Sequence, residues 1–407
     1  AYGKTGNDAD VYQVIPNFIQ GTARGYYGTD IAKFPIQGVN AYQASSTLGS
    51  SDLKPEMTTE FEAGLNLSFF DNRINVDFSY YNRETKDQIF SLPVDPATGY
   101  SYIVTNFGKV RNRGIELLVN TTPIRTKDFR WDLGFNFSKN SNKVVSMPSS
   151  LEGGKTTIYS FSAGNDAVYM YAEEGKPMGE FYTYLPQYTE DGKIIVDENG
   201  QPILTSSVED TGKNINPDWI GGVTTALTYK GFTLSAALDV RKGGYMFSRS
   251  KNLMQFTGNG SHTTYNDRNP FIIPNSIKRT TITDDYGEFV RYEYSENTTP
   301  ITMSDGSYQD WYSNYGYNFG GEAYLLNKSF VKLRNITLAY QFPKSLSRKL
   351  YLSDITLSLF CNNVFTWTHK SNTFIDPEGS TRGNDLEGQF GELYVNPSCR
   401  TFGFNVG

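Results

Sequence analysis

The chain has 407 residues, 15% of them aromatic, with 29 Tyr and 27 Phe against 4 Trp, and it carries 38 Gly; this mixture points to a sheet-rich chain, because aromatic side chains favour strands and glycine favours turns. A net charge of −6 argues against nucleic acid as a partner, and two Cys with two His leave little for a thiolate or imidazole metal centre. Mean hydropathy is −0.47 and no apolar run approaches the roughly 18 residues of a membrane helix, which excludes a helical membrane protein but not a transmembrane β-barrel, whose alternating strands score as hydrophilic.

Ala1 to Gly6 show no charged start followed by an apolar stretch, so no signal peptide is expected there. The first strong signal is period-two alternation. Phe61, Ala63, Leu65, Leu67 and Phe69 interleave with Glu60, Glu62, Gly64, Asn66 and Ser68. A turn at Asp71-Asn72-Arg73 follows, and Ile74, Val76, Phe78 and Tyr80 then alternate with Asn75, Asp77, Ser79 and Tyr81. Strict alternation on both sides of a short polar turn predicts a hairpin.

The pattern recurs at Ile115, Leu117 and Val119, then at Phe129, Trp131, Leu133, Phe135 and Phe137. A third hairpin is predicted from Val223 to Val240 around Lys230-Gly231, and a fourth from Ile336 to Leu359 around Pro343. Phe402, Phe404 and Val406 close the chain. Val168 to Ala172 and Phe181 to Tyr188 are read as two further wall strands, which makes about eleven or twelve with the end of another near Ala1. Lys193 to Leu204 reads as a small loop hairpin across Asn199-Gly200, and no amphipathic helix of ordinary length is found.

Connections alternate in length. Short turns lie at 71–73, 123–128, 230–231 and 343–353, and long polar connections at about 7–56, 84–103, 190–216, 241–323 and 367–399. Short turns on one side and long loops on the other are a property of outer-membrane barrels, so the long segments are expected outside the cell. Aromatic residues gather beside the short turns, at Phe69, Phe70, Phe129, Trp131, Tyr229, Phe232, Tyr340 and Phe342. Rings at that level match an interfacial girdle.

With these segments placed, the chain resembles the SusC/RagA family of TonB-dependent transporters of Bacteroidetes outer membranes. The matching stretches are Tyr2-Gly3-Lys4-Thr5-Gly6-Asn7, Leu53-Lys54-Pro55-Glu56 with Glu60-Phe61-Glu62-Ala63-Gly64, and Asn106 to Glu116. Further matches are Glu174-Gly175-Lys176-Pro177-Met178-Gly179-Glu180-Phe181-Tyr182, Asn216-Pro217-Asp218-Trp219-Ile220-Gly221-Gly222, Phe330 to Leu338, Asn362-Asn363-Val364-Phe365-Thr366-Trp367 and Pro397 to Phe402. The resemblance implies an all-β fold: the C-terminal portion of an antiparallel transmembrane barrel of about 22 strands, one domain over 1–407 with its plug domain outside this chain. It implies an outer-membrane location and TonB-dependent import of nutrient oligomers, glycan favoured and peptide the alternative. It also implies a SusD-like surface lipoprotein, contact with TonB through the missing N-terminal part, and remaining barrel strands and plug as partners, because unpaired strand edges in lipid cost several kcal/mol per group. No catalytic residue and no cofactor are expected.

In such a barrel the apolar set faces lipid and the polar set faces the lumen. Glu60, Glu62, Asp77, Glu116, Arg130, Asp132, Asp239 and Arg241 are then lumen-wall residues, read either as a contact surface for the plug or as solvated wall. Substrate contacts are expected from Trp311, Tyr312, Tyr315, Tyr317 and Asn318 in the 241–323 connection and from Trp367, since rings stack on sugar faces and also pack loops.

His262 and His369 have no nucleophile motif around them. Asp191, Asp197 and Glu198 suggest calcium, but their spacing is not that of a calcium loop and turn chemistry is the better reading. Cys361 and Cys399 differ in parity against the final strand, so no disulfide between them is expected. The rival classes are a secreted β-rich binding or adhesion protein and a propeller or sandwich glycan hydrolase. No fixed repeat of blade length supports a propeller, and monodispersity in plain buffer would favour the adhesin over the barrel.

Overall fold

The alternating segments form one antiparallel ladder. The structure is a computed structural model, and it describes all residues except 10–12, 16, 25–29, 149–150, 162–166, 314–319, 373–374, 382 and 384. Ten strands follow one another along the sheet: β1 (Tyr2–Asn7), β2 (Glu56–Phe69), β3 (Ile74–Pro93), β4 (Tyr102–Arg125), β5 (Phe129–Ser146), β6 (Trp219–Tyr229), β7 (Phe232–Lys242), β8 (Phe330–Gln341), β9 (Thr356–Thr368) and β10 (Thr401–Val406). Spatial order equals chain order, as in an up-and-down barrel wall. An eleventh member, the two-residue segment Thr47–Leu48, runs parallel to the start of β4. The outer edges of β1 and β10 have no strand partner among the described residues.

Register carries the alternation from strand to strand. Leu65 pairs with Phe78, Phe78 with Leu117, and Leu117 with Phe137. Phe135 pairs with both Val119 and Val223, and Leu234 with both Leu227 and Leu338. Leu338 then pairs with Leu359, and Leu359 with Phe404. A one-residue slip would put polar residues on this face, so the apolar pattern fixes the register. Leu65, Leu67, Phe135, Leu234, Leu338, Leu359 and Phe404 are exposed on it, although they carry the strongest alternation.

All the short turns lie at one end. Residues 70–73, 126–128, 230–231 and 342–355 join β2 to β3, β4 to β5, β6 to β7 and β8 to β9. The Lys230-Gly231 turn has φ of 45° and 90°, the doubly positive pattern of a two-residue hairpin turn, and glycine meets the second value without strain. Beside these turns Phe129, Tyr229, Phe232 and Tyr340 pair in sequence across four strands, with the last two rings 4.4 Å apart. Four of the eight rings expected beside the short turns thus stand in one continuous row.

Two sequence expectations need correction. The segment 84–103 is not an open connection, because β3 continues to Pro93 and β4 begins at Tyr102. With 20 and 24 residues these strands far exceed the 9–11 that cross a bilayer. Their outer parts have no lipid to face, so they lack the alternation that marks the rest. The strands at Val168–Glu173 and Glu180–Thr183 are not wall strands either; with Lys155–Phe161 and Glu209–Asn214 they form a separate four-stranded sheet. Every residue of Glu180–Thr183 is buried, so both faces pack on protein. A core of Val168, Met170, Phe181, Phe247, Tyr324 and Phe390 joins this sheet to the other long connections.

Among the described residues the α-helices are short, at Arg249–Phe256, Ser307–Ser313 and Lys344–Lys349. No helix among the described residues is long and apolar enough to cross a membrane. The small hairpin across Asn199-Gly200 is present, closed by Asp197 N–H to Gln201 O at 2.8 Å.

Candidate functional site

The face opposite the apolar one is polar and concave. One recess of about 610 Å³ is lined by Asn75, Asn120, Asp132, Thr224, Ser235 and Asn335 among others. These six belong to six successive strands, β3 to β8, so the sheet curves around its polar side. Arg130 lines the same recess and pairs with Asp132 at 2.7 Å, while Thr122 donates to Asp132 at 2.7 Å. A second recess of about 520 Å³ holds Glu60, Glu62 and Glu116 beside Arg83, which pairs with Glu60 at 2.9 Å. A third, of about 430 Å³ near the long-loop end, holds Asp239 and Arg241. The predicted wall residues therefore gather in three groups. Asp77 lies in none of them; it accepts from Asn66 Nδ2 at 3.0 Å across the β2–β3 pair.

The densest charge cluster was not singled out from sequence. Lys332 Nζ meets Asp376 Oδ1 at 2.5 Å and Glu378 Oε2 at 2.6 Å. Arg334 grips Glu378 with two bonds of 2.6 Å and reaches Asp239 Oδ2 at 2.6 Å. Both cations come from β8, on the polar face that alternation with Val331 and Leu333 gives them, beside a bulge between Leu333 and Asn335. Burial pushes both acidic groups upward, but the neighbouring cations more than offset it: Lys332 holds Asp376, and Arg334 with Lys332 holds Glu378, below the ordinary carboxylate range. These contacts tie the 369–400 connection to the inner wall.

A second cluster braces the four-stranded sheet. Lys176 Nζ lies 3.0 Å from Glu173, 2.8 Å from Asp210 and 2.8 Å from the Tyr182 hydroxyl, which also bonds Glu173. Burial pushes the Lys176 ammonium down, yet Asp210, Tyr182 and Glu173 outweigh it and hold it above its ordinary range. Glu180, buried beside them, is pushed up to about 7 by burial and by the Asp210 charge, against the pull of Lys176 and a hydrogen bond from Asn214. A carboxyl raised in the folded state stabilises the fold below its ordinary range and loses that contribution as pH rises through about 7. Amide exchange of this sheet, corrected for intrinsic rate, is expected to show falling protection between pH 5 and 8 in the native protein. Glu180→Gln should flatten that slope.

The residues expected to touch substrate are dispersed. Trp311 packs against Tyr265, Phe271 and Tyr308 with centroids 5.0 to 5.8 Å away, and Tyr312 against Tyr308 at 5.5 Å. Both rings support a core of Val196, Ile273, Ile301 and Tyr308, and neither lines the three recesses. Trp367 pairs with Val331 on the apolar face and sits 4.3 Å from Phe365, away from the loop rings. Tyr315, Tyr317 and Asn318 lie outside the described residues.

Asp197 accepts from the backbone of Asn199 and Gln201, and Asp191 pairs with Lys193 at 3.0 Å, both turn interactions. Among the described residues no group of three His, Cys, Asp or Glu is placed to hold a metal ion. His369 Nδ1 shares a hydrogen bond of 2.8 Å with Ser371. Cys361 pairs across from Phe402 on the apolar face, and Cys399 is exposed before β10; both are free thiols.

Comparison with known proteins agrees with this geometry. Residues 11–364 match the family described as TonB dependent receptor-like, beta-barrel. The chain is 26% identical over 92% of its length to TonB-dependent receptor P39 of Formosa agariphila, covering 37% of that protein. It is 27% identical over 81% of its length to TonB-dependent receptor SusC of Bacteroides thetaiotaomicron, covering 32% of it. Among solved structures, the RagAB peptide transporter matches 98% of this chain and 39% of its own, with TM-score 0.65 and 20% sequence identity, a likeness of fold. The chain thus spans less than two fifths of the length of these relatives.

Proposed function

Since the chain belongs to the TonB-dependent receptor β-barrel family of outer-membrane proteins, we propose that it forms part of the wall of a barrel that imports nutrient oligomers with energy delivered through TonB. The observation that carries this reading is the continuous ten-strand ladder with an apolar outer face, a curved polar inner face and all long connections at one end. The free edges of β1 and β10 cannot stand in lipid, where each unpaired backbone group costs several kcal/mol. Further strands of the same barrel are proposed to cover them, with the plug and the TonB contact also outside this chain.

Glycan is the proposed cargo. Beside Arg73, Arg130 and Asp132, the inner recess is lined by Asn, Thr and Ser side chains, which both donate and accept and so suit a polyhydroxylated chain. A SusD-like lipoprotein is proposed over the loop end, where the strand Phe289–Glu296 is exposed at every residue. No cofactor enters this reading.

Uptake of labelled oligosaccharides, neutral and acidic, and of labelled peptides by cells with and without the protein tests it. Oligosaccharide uptake that requires the protein and collapses with a protonophore is expected. Protein-dependent uptake of peptides alone would reassign the cargo, and uptake that ignores the protein would overturn the reading.

A further inference from the structure

The third recess holds more positive charge than its own residues neutralise. Arg241, Lys328 and Arg334 line it with Asp239 and Glu378, three cations against two carboxylates, and Arg334 engages both acids. Arg241 spends its contacts on backbone carbonyls, Ile215 O at 3.0 Å and Gly243 O at 3.3 Å. Lys328 is 7% exposed, and among the described residues its Nζ bonds only the neutral amide of Gln389, at 3.3 Å. The two cations are held side by side, because Lys328 N–H bonds Gly244 O at 2.8 Å and Gly243 N–H bonds Ser329 Oγ at 2.8 Å.

A buried cation without a counter-charge is costly, and the usual responses are a partner or loss of the proton. Here burial and the neighbouring Arg241, opposed by Glu378, push the Lys328 ammonium down to about 8. An anion in the recess would reverse that. The recess, about 430 Å³, opens at the end of the wall where the long connections converge, and Asn136 adds an amide beside the cations. We infer that this recess is an oxyanion subsite, formed by Arg241 and Lys328, for a carboxylate or sulfate group carried by the imported oligomer. The inference rests on the import reading above for the source of the anion.

The test uses the whole protein purified from its own membrane in detergent. Acetylation of Lys328 by an amine-reactive ester is followed by mass spectrometry with sulfate, with tri-galacturonate and with its neutral methyl ester. Sulfate and tri-galacturonate are expected to slow Lys328 labelling about tenfold, as for a one-unit rise in its pKa, and the methyl ester to leave it unchanged. Arg241→Gln should abolish the protection. Lys328→Arg should keep tighter binding of the acid than of the ester, which Lys328→Gln should lose, so a folding defect is separable from loss of charge. Labelling that is indifferent to both anions, or protection that survives Arg241→Gln, would overturn the assignment and point to a counter-charge from elsewhere in the protein. Loss of uptake of every oligomer would sink the import reading and leave sulfate protection of Lys328 intact.

Discussion

Leu65→Arg is expected to destabilise the protein in bilayers by about 2–4 kcal/mol, the cost of a cation on the lipid face near mid-depth, while Asn66→Arg on the next residue is expected to be nearly neutral. The two positions share a strand and a depth. Leu65 pairs with Phe78 and is 61% exposed on the apolar face. Asn66 pairs with Asp77 and already donates to its carboxylate, so an arginine there gains an acidic partner on the wet side. Urea unfolding of the protein reconstituted in lipid gives both values. Equal losses would mean that the two faces meet the same medium, and the membrane reading of the alternation would be wrong.

Lys332→Met should release the 369–400 connection from the wall. The side chain is 6% exposed and holds Asp376 and Glu378 together. Its removal leaves Asp376 with a backbone N–H from Glu378 but no cation, whereas Glu378 keeps Arg334. The expected loss is about 2–3 kcal/mol, below the about 3–5 of a fully broken buried pair because one acid stays neutralised. Protease cleavage within 369–400 should accelerate before any change in the wall strands. Lys332→Met with Asp376→Leu should recover most of the loss, since no orphaned acid remains. A double variant as protease-sensitive as the single one would show that the ion pair is not what fastens this connection.

The wall was legible because lipid on one side and water on the other impose a strict chemical alternation. Leu65, Phe78, Leu117 and Phe137 fall in one register row, as their spacing in sequence requires. Where the solvent contrast ends, so does the signal. The outer halves of β3 and β4 read as loop, and Val168–Glu173 and Glu180–Thr183 read as wall because short apolar runs look alike whatever covers them.

Parity alone assigns the polar residues Glu60, Arg130 and Asp239 to the inner face, but parity does not say which of them meet. Lys332 and Arg334 show the same limit: both alternate with Val331 and Leu333, yet Asp376 and Glu378, which they hold, lie 44 to 46 residues away in a segment without periodicity. Loop aromatics such as Trp311 carried no directional signal, and the ring turned inward to the loop's own core.

The two-faced wall is tested most directly by spin labels placed singly at residues 132 to 137 of β5, with Cys361 and Cys399 replaced by serine, in outer-membrane vesicles. Labels at Leu133, Phe135 and Phe137 should be relaxed mainly by oxygen dissolved in lipid, and those at Asp132, Gly134 and Asn136 mainly by a water-soluble nickel chelate, in strict alternation. Apolar positions closed to both relaxants would place that face in a protein core and contradict the transmembrane wall.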